Sequence, residues 1–570
     1  MPIERPLPIV PDSEEIEVEI ESEEPFIPQG IMVEGEEEQP FIEIVPDDSS
    51  SFHENLAEVL DDKELRNLAL ELISDFEDDE SSREDWMRIF TEGLGLLGIK
   101  TEDRSEPFEG ASGVHHPLLS ESVAQFQAQA YRELLPAEGP VKTQVLGEET
   151  PEKLQQAERV QQFMNYELTY GMEEYDPELD QMLFYLPLSG SAFKKVYYDP
   201  AKGRPVSSFI MADDFIVSYS TQDLVNCPRA THILNMTDNQ IRKMQIAGMY
   251  RDIDIGSPTE VYDDDSGEVQ EKIDRLIGVS KPSNSDSYTV LEVHVEIDLE
   301  GFEDTREGEP TGIALPYIVT IVKENAQVLA IRRNWDPEDP LKQKVQYFVH
   351  YKFLPGLGFY GFGLIHMIGG LSKSATSILR QLIDAGTLAN LPAGFKARGL
   401  RIRDDDEPLQ PGEWRDVDVP GGALRDALLP LPYKEPSGVL SSLLGILVDS
   451  GQRFANIADM KVSDMNQETP VGTTLALLER GSKIMSAIHK RLHYAQKIEF
   501  KLLARVFSET LPSEYPYDVA GANRQIYAQD FDDRVDVLPV SDPNIFSMSP
   551  RVMMAQTQLQ LAQSAPQLHN

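Results

Sequence analysis

The sequence predicts an α+β fold, and three observations carry that prediction. Apolar residues recur at helical spacing through roughly residues 60–190. From Ala192 the period becomes two and stays so to about Phe353, in runs separated by turn residues rather than by helices. Long apolar helical stretches then return beyond residue 363. Strands that follow one another directly belong to antiparallel sheets, and helices segregated before and after them define the class. At 570 residues the chain exceeds what one core organises, so several structural regions are expected.

Residues 1–50 are rich in Glu and Pro and lack a helical period, so an acidic, disordered arm is expected there. Half of the formal net charge of −48 lies between Met1 and Glu80, where 27 acidic residues face only Arg5, Lys63 and Arg66. Helix signals follow at 51–60, 63–77 and 82–96. Leu65, Leu68, Leu72 and Phe76 give the second its buried stripe, and Ser82 with Asp85 reads as a cap for the third. A helix over 115–136, stopped by Pro136, places Val123, Phe126, Ala130 and Leu134 on one face. Two more are read over 152–170 and 177–190. A hairpin then turns around Asp199 to Gly203, and further strands are expected at 215–219, 288–297, 318–322, 328–333 and 346–353, with an acidic loop at 260–270.

The stretch FLPGLGFYGFG (353–363) next offers Gly356, Gly358 and Gly361 in a G-x-G-x-x-G pattern between a strand and a helix. In a dinucleotide-binding turn such glycines let the backbone approach a pyrophosphate. That turn belongs to a parallel βαβ unit, whereas the strands here are hairpin-linked, and Phe359 and Tyr360 fill the spacer. A flexible joint between a sheet and a closely packed helix is the better reading. Beyond it come a helix to about residue 390, a Gly- and Pro-punctuated β module, an apolar helix over 437–458, a polar loop at 460–472 and a very long helix over 473–509. Ile484, Ile488, Leu492, Ala495, Ile498, Leu502 and Val506 form the stripe of the last. A strand at 534–540 and a helix opened by Ser549-Pro550 follow. No stop signal precedes Ala565-Pro566, so the natural chain is expected to continue past Asn570.

Chemistry is sparse. The lone Cys227 excludes an internal disulfide and a four-cysteine zinc site. No phosphate-binding G-x-x-x-x-G-K-[ST] loop occurs. Asp263 to Gly267 sets its glycine one place too early for an EF-hand, Asp404 to Glu407 reads as a solvated turn, and His115-His116 as a cap or surface pair. No catalytic set, cofactor or metal is expected. The acidic balance argues against a broad nucleic-acid-gripping face, and the absence of a leader or a long apolar span argues for a soluble protein. Against this background the long helix concentrates cations: Arg480, Lys483, Lys490, Arg491, Lys497, Lys501 and Arg505. They read either as a solvated face or as partners for acidic surfaces of neighbouring copies.

The order of parts resembles the portal proteins of tailed bacteriophages, the ring-shaped head–tail connectors of the capsid. The likeness extends from about Ser82 to the end, and the texture of YGFGLIHMIGGLSKSATSILRQLIDAGTLANLPAG and PVGTTLALLERGSKIMSAIHKRL shares it. The resemblance implies a wing over 51–362 and stem helices at 363–390 and 436–459, with a clip at 391–435 between them. It further implies a channel loop at 460–472, a long helix at 473–510 and a wing or crown return over 511–570. It implies a homo-oligomer of about twelve copies that passes double-stranded DNA without catalysis. It also implies docking to a packaging motor (terminase) and a tail adaptor, beside the major capsid and scaffold proteins, in the virion and, during assembly, in the host cytoplasm, with no membrane. On this sequence the channel contacts would be Lys461, Asn466 and Gln467. The clip's partner-binding residues would be Phe395, Lys396, Arg398, Arg401, Arg403, Trp414 and Arg415. The stem would pack through Leu440, Leu443, Leu444 and Leu447. The alternatives left by the sequence are a dinucleotide-binding enzyme using Gly356 to Gly361, or another ring-forming head–tail adaptor.

Overall fold

A computed structural model describes residues 52–200, 202–256, 268–279, 287–306, 309–390, 433–455, 471–519, 522–532 and 534–540, with the backbone of four short strands between 394 and 430. The acidic arm, the loop at 257–267 and the expected terminal helix after Pro550 lie outside these residues. The described chain is α+β, and its sheets are antiparallel.

Helix α1 (Asp62–Ser82) places Leu65, Ala69, Leu72 and Phe76 on a five-stranded sheet, where they meet Leu291, Val293, Val319 and Ile321. The expected cap at Ser82 is not formed. Ser82 ends α1, its hydroxyl donating to the Asp79 carbonyl at 2.6 Å, and α2 (Glu84–Leu94) starts after Arg83. Arg83 is buried and donates to the carbonyls of Phe215 (3.1 Å) and Asp213 (2.6 Å), so a side chain from the junction of two helices ties them to the sheet. The helix expected over 51–60 is reduced to a 3-10 turn, Leu56–Glu58, capped by Asn55.

Three helices come next: α3 (Leu118–Leu134), α4 (Pro151–Tyr166) and α5 (Tyr175–Ser189). Thr150 caps α4 and Pro151 occupies its first turn, where a missing N–H costs nothing. The helix expected to reach residue 170 changes to π-type turns at Glu167–Gly171. Between α3 and α4, β1 (Val141–Val145) was not legible in sequence, because its strand partner among the described residues is the distant strand at 535–539.

Strands β2 (Ser191–Asp199) and β3 (Arg204–Ile210) form the expected hairpin, joined on the other side of β2 by the strand Phe348–Lys352 in a three-stranded sheet. The five-stranded sheet contains β4 (Phe215–Val217), β5 (Arg229–Thr237), β6 (Ser287–Ile297), β7 (Leu315–Val322) and β8 (Gln327–Arg333), in the order β8-β7-β6-β5-β4. The sequence reading missed β5 and the two helices after it, α6 (Asp238–Ile246) and α7 (Glu268–Ile277). Helix α6 starts with a complete capping box between Thr237 and Gln240. The acidic loop read to residue 270 ends sooner, where α7 begins.

β9 (Phe348–Lys352) leads into the glycine stretch, and α8 (Leu364–Asn390) leaves it. Short antiparallel pairs follow: β10 (Gly394–Lys396) with the later strand Leu428–Pro430, and β11 (Arg401–Ile402) with β12 (Val417–Asp418). With Leu428–Pro430 as β13, α9 spans Gly438–Ala455 and α10 spans Val471–Thr510. At 40 residues, α10 is a rod of about 60 Å. The hairpin β14 (Tyr515–Val519)–β15 (Ala522–Ile526) and strand β16 (Val535–Pro539) return to α4 and β1. Helices α2 to α5, α8 and α10 share the principal core with the three-stranded sheet.

Candidate inter-subunit and channel elements

The glycine stretch is clamped rather than flexible. Gly190 ends α5 with φ +88°, a conformation that favours glycine, and its carbonyl accepts from Phe353 N–H at 3.0 Å. A methyl group on Gly361 would lie 2.4 Å from that carbonyl oxygen, and one on Gly363 would lie 2.2 Å from the Leu188 carbonyl. These two glycines therefore serve backbone-to-backbone packing. Gly361 N–H also donates to Ser191 Oγ at 2.8 Å, and Phe362 N–H donates to the Leu354 carbonyl at 3.0 Å. Two aromatic rings fix the loop from the protein side. Phe359 stacks on Phe193, and Tyr360 stacks on Trp86 with centroids 4.7 Å apart. The preceding strand β9 is antiparallel to β2, so no parallel βαβ crevice frames the turn.

α8 emerges from this clamp and is held by residues 98–117. Arg380 Nε donates to the Val114 carbonyl (2.8 Å), and its NH2 to Glu102 (3.0 Å). Ser112 N–H donates to Asp384 (2.7 Å), and His116 N–H to Thr376 (3.1 Å). His115 faces Arg380 at 2.9 Å, and burial together with that guanidinium lowers its basicity. The His116 ring caps α3 by accepting from Leu118 N–H. A cleft of about 730 Å³ between α2, α7 and α8 is lined by charges that largely pair among themselves, Arg380 with Glu102 and Arg104 with Asp384.

α9 lies against α8 and the start of α3. Gly451 leaves room for Leu118, and Gly386 of α8 lies beside Pro436, so α8 and α9 run in opposite directions. Of the expected packing residues, Leu440, Leu444 and Leu447 are half-buried, while Leu443 is 41% exposed. Val439 (77%) and Ile446 (62%) are more exposed still. Positions 439, 443 and 446 fall on one helical face, so α9 turns an apolar stripe to solvent.

Of the clip residues, Phe395 and Lys396 belong to β10 and Arg401 to β11. Arg398, Arg403, Trp414 and Arg415 lie outside the described residues, as do Lys461, Asn466 and Gln467 of the expected channel loop. The last two positions of that loop, Val471 and Gly472, already belong to α10.

α10 is anchored by features that the sequence reading missed. Ile488, Leu492, Ala495, Leu502 and Val506 are buried as expected, but Ile498 is partly exposed, and Phe500, Leu503 and Phe507 widen the face. A second, polar line follows the stripe one place on: His489, His493, Gln496 and Glu499, all buried. Glu499 meets Lys194 Nζ at 2.9 Å, with both side chains fully enclosed, and accepts hydrogen bonds from Ser207 (2.6 Å) and Tyr351. Burial and the Glu499 carboxylate push the Tyr351 and Tyr175 hydroxyls well above their usual range. Gln496 donates to the Leu134 carbonyl at the end of α3 (3.0 Å). His489 and His493 converge on Glu133 of α3, the latter at 3.2 Å. Burial opposes ionisation of Glu133, yet the two imidazoles hold its carboxyl down at about 2.

Four of the α10 cations have partners within the chain. Arg491 donates to the Phe353 carbonyl, Lys497 and Lys501 flank Asp536, and Arg505 donates to the Gln346 carbonyl. For these four, the idea of cations reserved for neighbouring copies is corrected: the chain uses them itself. The side chains of Arg480 and Lys483 lie outside the described residues.

A second ionic cluster, shielded but not fully enclosed, joins the two larger sheets. Lys195 contacts Glu292 at 2.6 Å, and His294 adds a contact at 2.8 Å. Burial works against the Glu292 carboxylate, but Lys195 and the imidazoles keep it well below the usual range. Burial and Lys195 push His232 down to about 3. Mostly shielded from solvent, the Lys195–Glu292–His294 contacts tie the two sheets together. Among the described residues, no group of three or more His, Cys, Asp or Glu is arranged to hold a metal ion, and no helix is long and apolar enough to cross a membrane. No protein-family model matches the chain, and no curated protein matches its sequence significantly.

Proposed function

We propose that the chain is a portal protein of a tailed bacteriophage. In this reading, copies form a closed ring through which double-stranded DNA is packaged and ejected, and the ring docks a packaging motor and a tail adaptor without catalysing a reaction. The observation that carries the reading is the pairing of α8 with α9. Two antiparallel apolar helices, joined by a small β module, pack along an α+β body, and one of them keeps a stripe of Val439, Leu443 and Ile446 in solvent. An isolated chain gains nothing from that stripe, whereas a neighbour would cover it. A face that meets a different face on the next copy generates a ring when the rotation closes. The α10 rod, locked to the body near its C-terminal half, supports a body that holds its shape while the region between α9 and α10 meets the cargo. An acidic lining suits passage, because a duplex that is repelled slides rather than sticks.

The test is imaging of the purified full-length chain by negative stain, with mass by light scattering. Rings of about twelve copies with a central hole, lacking ATPase and oxidoreductase activity, are expected. A monomer at micromolar concentration would refute the proposal.

A further inference from the structure

The tip of the clamped loop carries Leu357, a residue 99% exposed. Full exposure of one leucine is unremarkable on a mobile loop, but this loop is pinned from beneath. Phe359 and Tyr360 are seated on the body, and Gly361 is pressed onto Gly190. The Leu354–Phe362 bridge closes its base. Gly358 has open space around it, so the backbone beside the leucine is bare. The chain therefore holds an apolar side chain away from its own surface at fixed geometry. A pre-organised apolar anchor is what makes a protein contact tight, because its ordering cost has already been met.

The charge pattern favours a second copy of this chain as the partner. Residues 353–372 contain twenty positions without Asp, Glu, Lys or Arg, in a chain with 26% charged residues and a net charge of −48. Residues 436–448, which carry the exposed stripe of α9, are likewise free of these four residue types. Two copies this acidic repel one another unless they meet where charge is matched or absent. Leu357 and the α9 stripe are exposed apolar groups on such uncharged stretches.

We propose that Leu357 is the anchor by which one copy grips the next. This inference rests on the ring-forming reading and adds a named contact to it. The test uses the full chain in mass photometry over a dilution series. Leu357→Asp should shift the assembly midpoint to higher concentration by about 10- to 100-fold, the range expected for losing one buried leucine per contact. Leu357→Met should stay within a few-fold of wild type, as should Leu341→Ser, which alters another exposed leucine. Far-UV circular dichroism of each variant should match wild type. In parallel, a photoactivatable residue at position 357 should cross-link to a peptide of a second copy, a readout that needs no disruptive substitution. If wild type and Leu357→Asp assemble at the same midpoint, or the cross-link stays within one chain, the anchor is refuted while the ring reading stands. A wild type that remains monomeric throughout refutes both.

Discussion

Removing the cation of the enclosed Lys194–Glu499 pair should be among the most damaging single changes in the body. Both side chains have no solvent exposure, and the contact is 2.9 Å. At an effective dielectric of about 20, two unit charges at that distance attract by roughly 6 kcal/mol, most of which is offset by desolvating both ions. Lys194→Met removes the attraction and leaves the desolvation of Glu499 in place, with neutral hydroxyls such as Ser207 and Tyr351 left to donate to it. The expected cost is about 3–5 kcal/mol, as for other buried pairs broken from one side. Lys194→Met with Glu499→Gln keeps an acceptor for one of the two hydroxyls, lets the other accept from the new amide N–H, and removes the stranded charge. It should lie within about 1–2 kcal/mol of wild type, because exchanging both members of a buried pair is far cheaper than removing one. Urea unfolding followed by circular dichroism, with amide exchange over α10, measures both the loss and the recovery. A single-variant cost below about 1 kcal/mol, or costs that simply add in the double variant, would refute the reasoning.

Acid should loosen α10 through Glu133. Its carboxyl sits at about 2 against an ordinary 4.5, so its contribution is complete above about 4.5 and vanishes as the pH falls towards 2. That contribution is on the order of 3 kcal/mol. Glu133→Gln should flatten this part of the pH–stability curve, and unchanged acid sensitivity would count against the cluster. In the glycine clamp, Gly361→Ala should lower stability by about 1–3 kcal/mol or more through the clash with the Gly190 carbonyl. Gly358→Ala, with open space around it, should melt within a degree or two of wild type. Replacing residues 463–467 by a Gly-Ser linker should leave assembly intact and impair DNA retention or packaging; normal packaging would reduce that segment to a connector. Trp414→Ala with Arg415→Ala should still assemble but lose pull-down of the packaging motor, and retained binding would remove the clip from partner recognition.

Strong local periodicity made much of the fold legible. The hairpin at β2–β3, strands β6 to β9, and helices α8 and α10 follow from patterns contained within each element. What escaped were elements defined by distant or polar partners. β1 is a strand because β16 lies beside it, 390 residues away at the Val145–Val535 pair, and no local signal encodes that. The Thr237–Gln240 capping box was a readable start for α6 but followed a strand whose pattern had not been recognised. The polar line on α10 was partly readable. His489, His493, Gln496 and Glu499 each follow a stripe residue by one place, at spacings that keep them on the buried side. Their partners Glu133 and Lys194 come from other elements, so the sequence offered the line without its purpose. Leu357 was plainly within the glycine stretch, but its isolation depends on the clamp beneath it.

The polar line on α10 has a mechanical consequence. A helix seated on an apolar stripe alone slides or rolls at modest cost, since one leucine substitutes for another along the seam. Charged groups at fixed stations work like teeth in a keyway. A slip of one turn, about 5.4 Å, would carry Glu499 away from Lys194 and the two imidazoles away from Glu133, stranding ions in the core at the same moment. The rod from Ile488 onward therefore moves with the body or not at all.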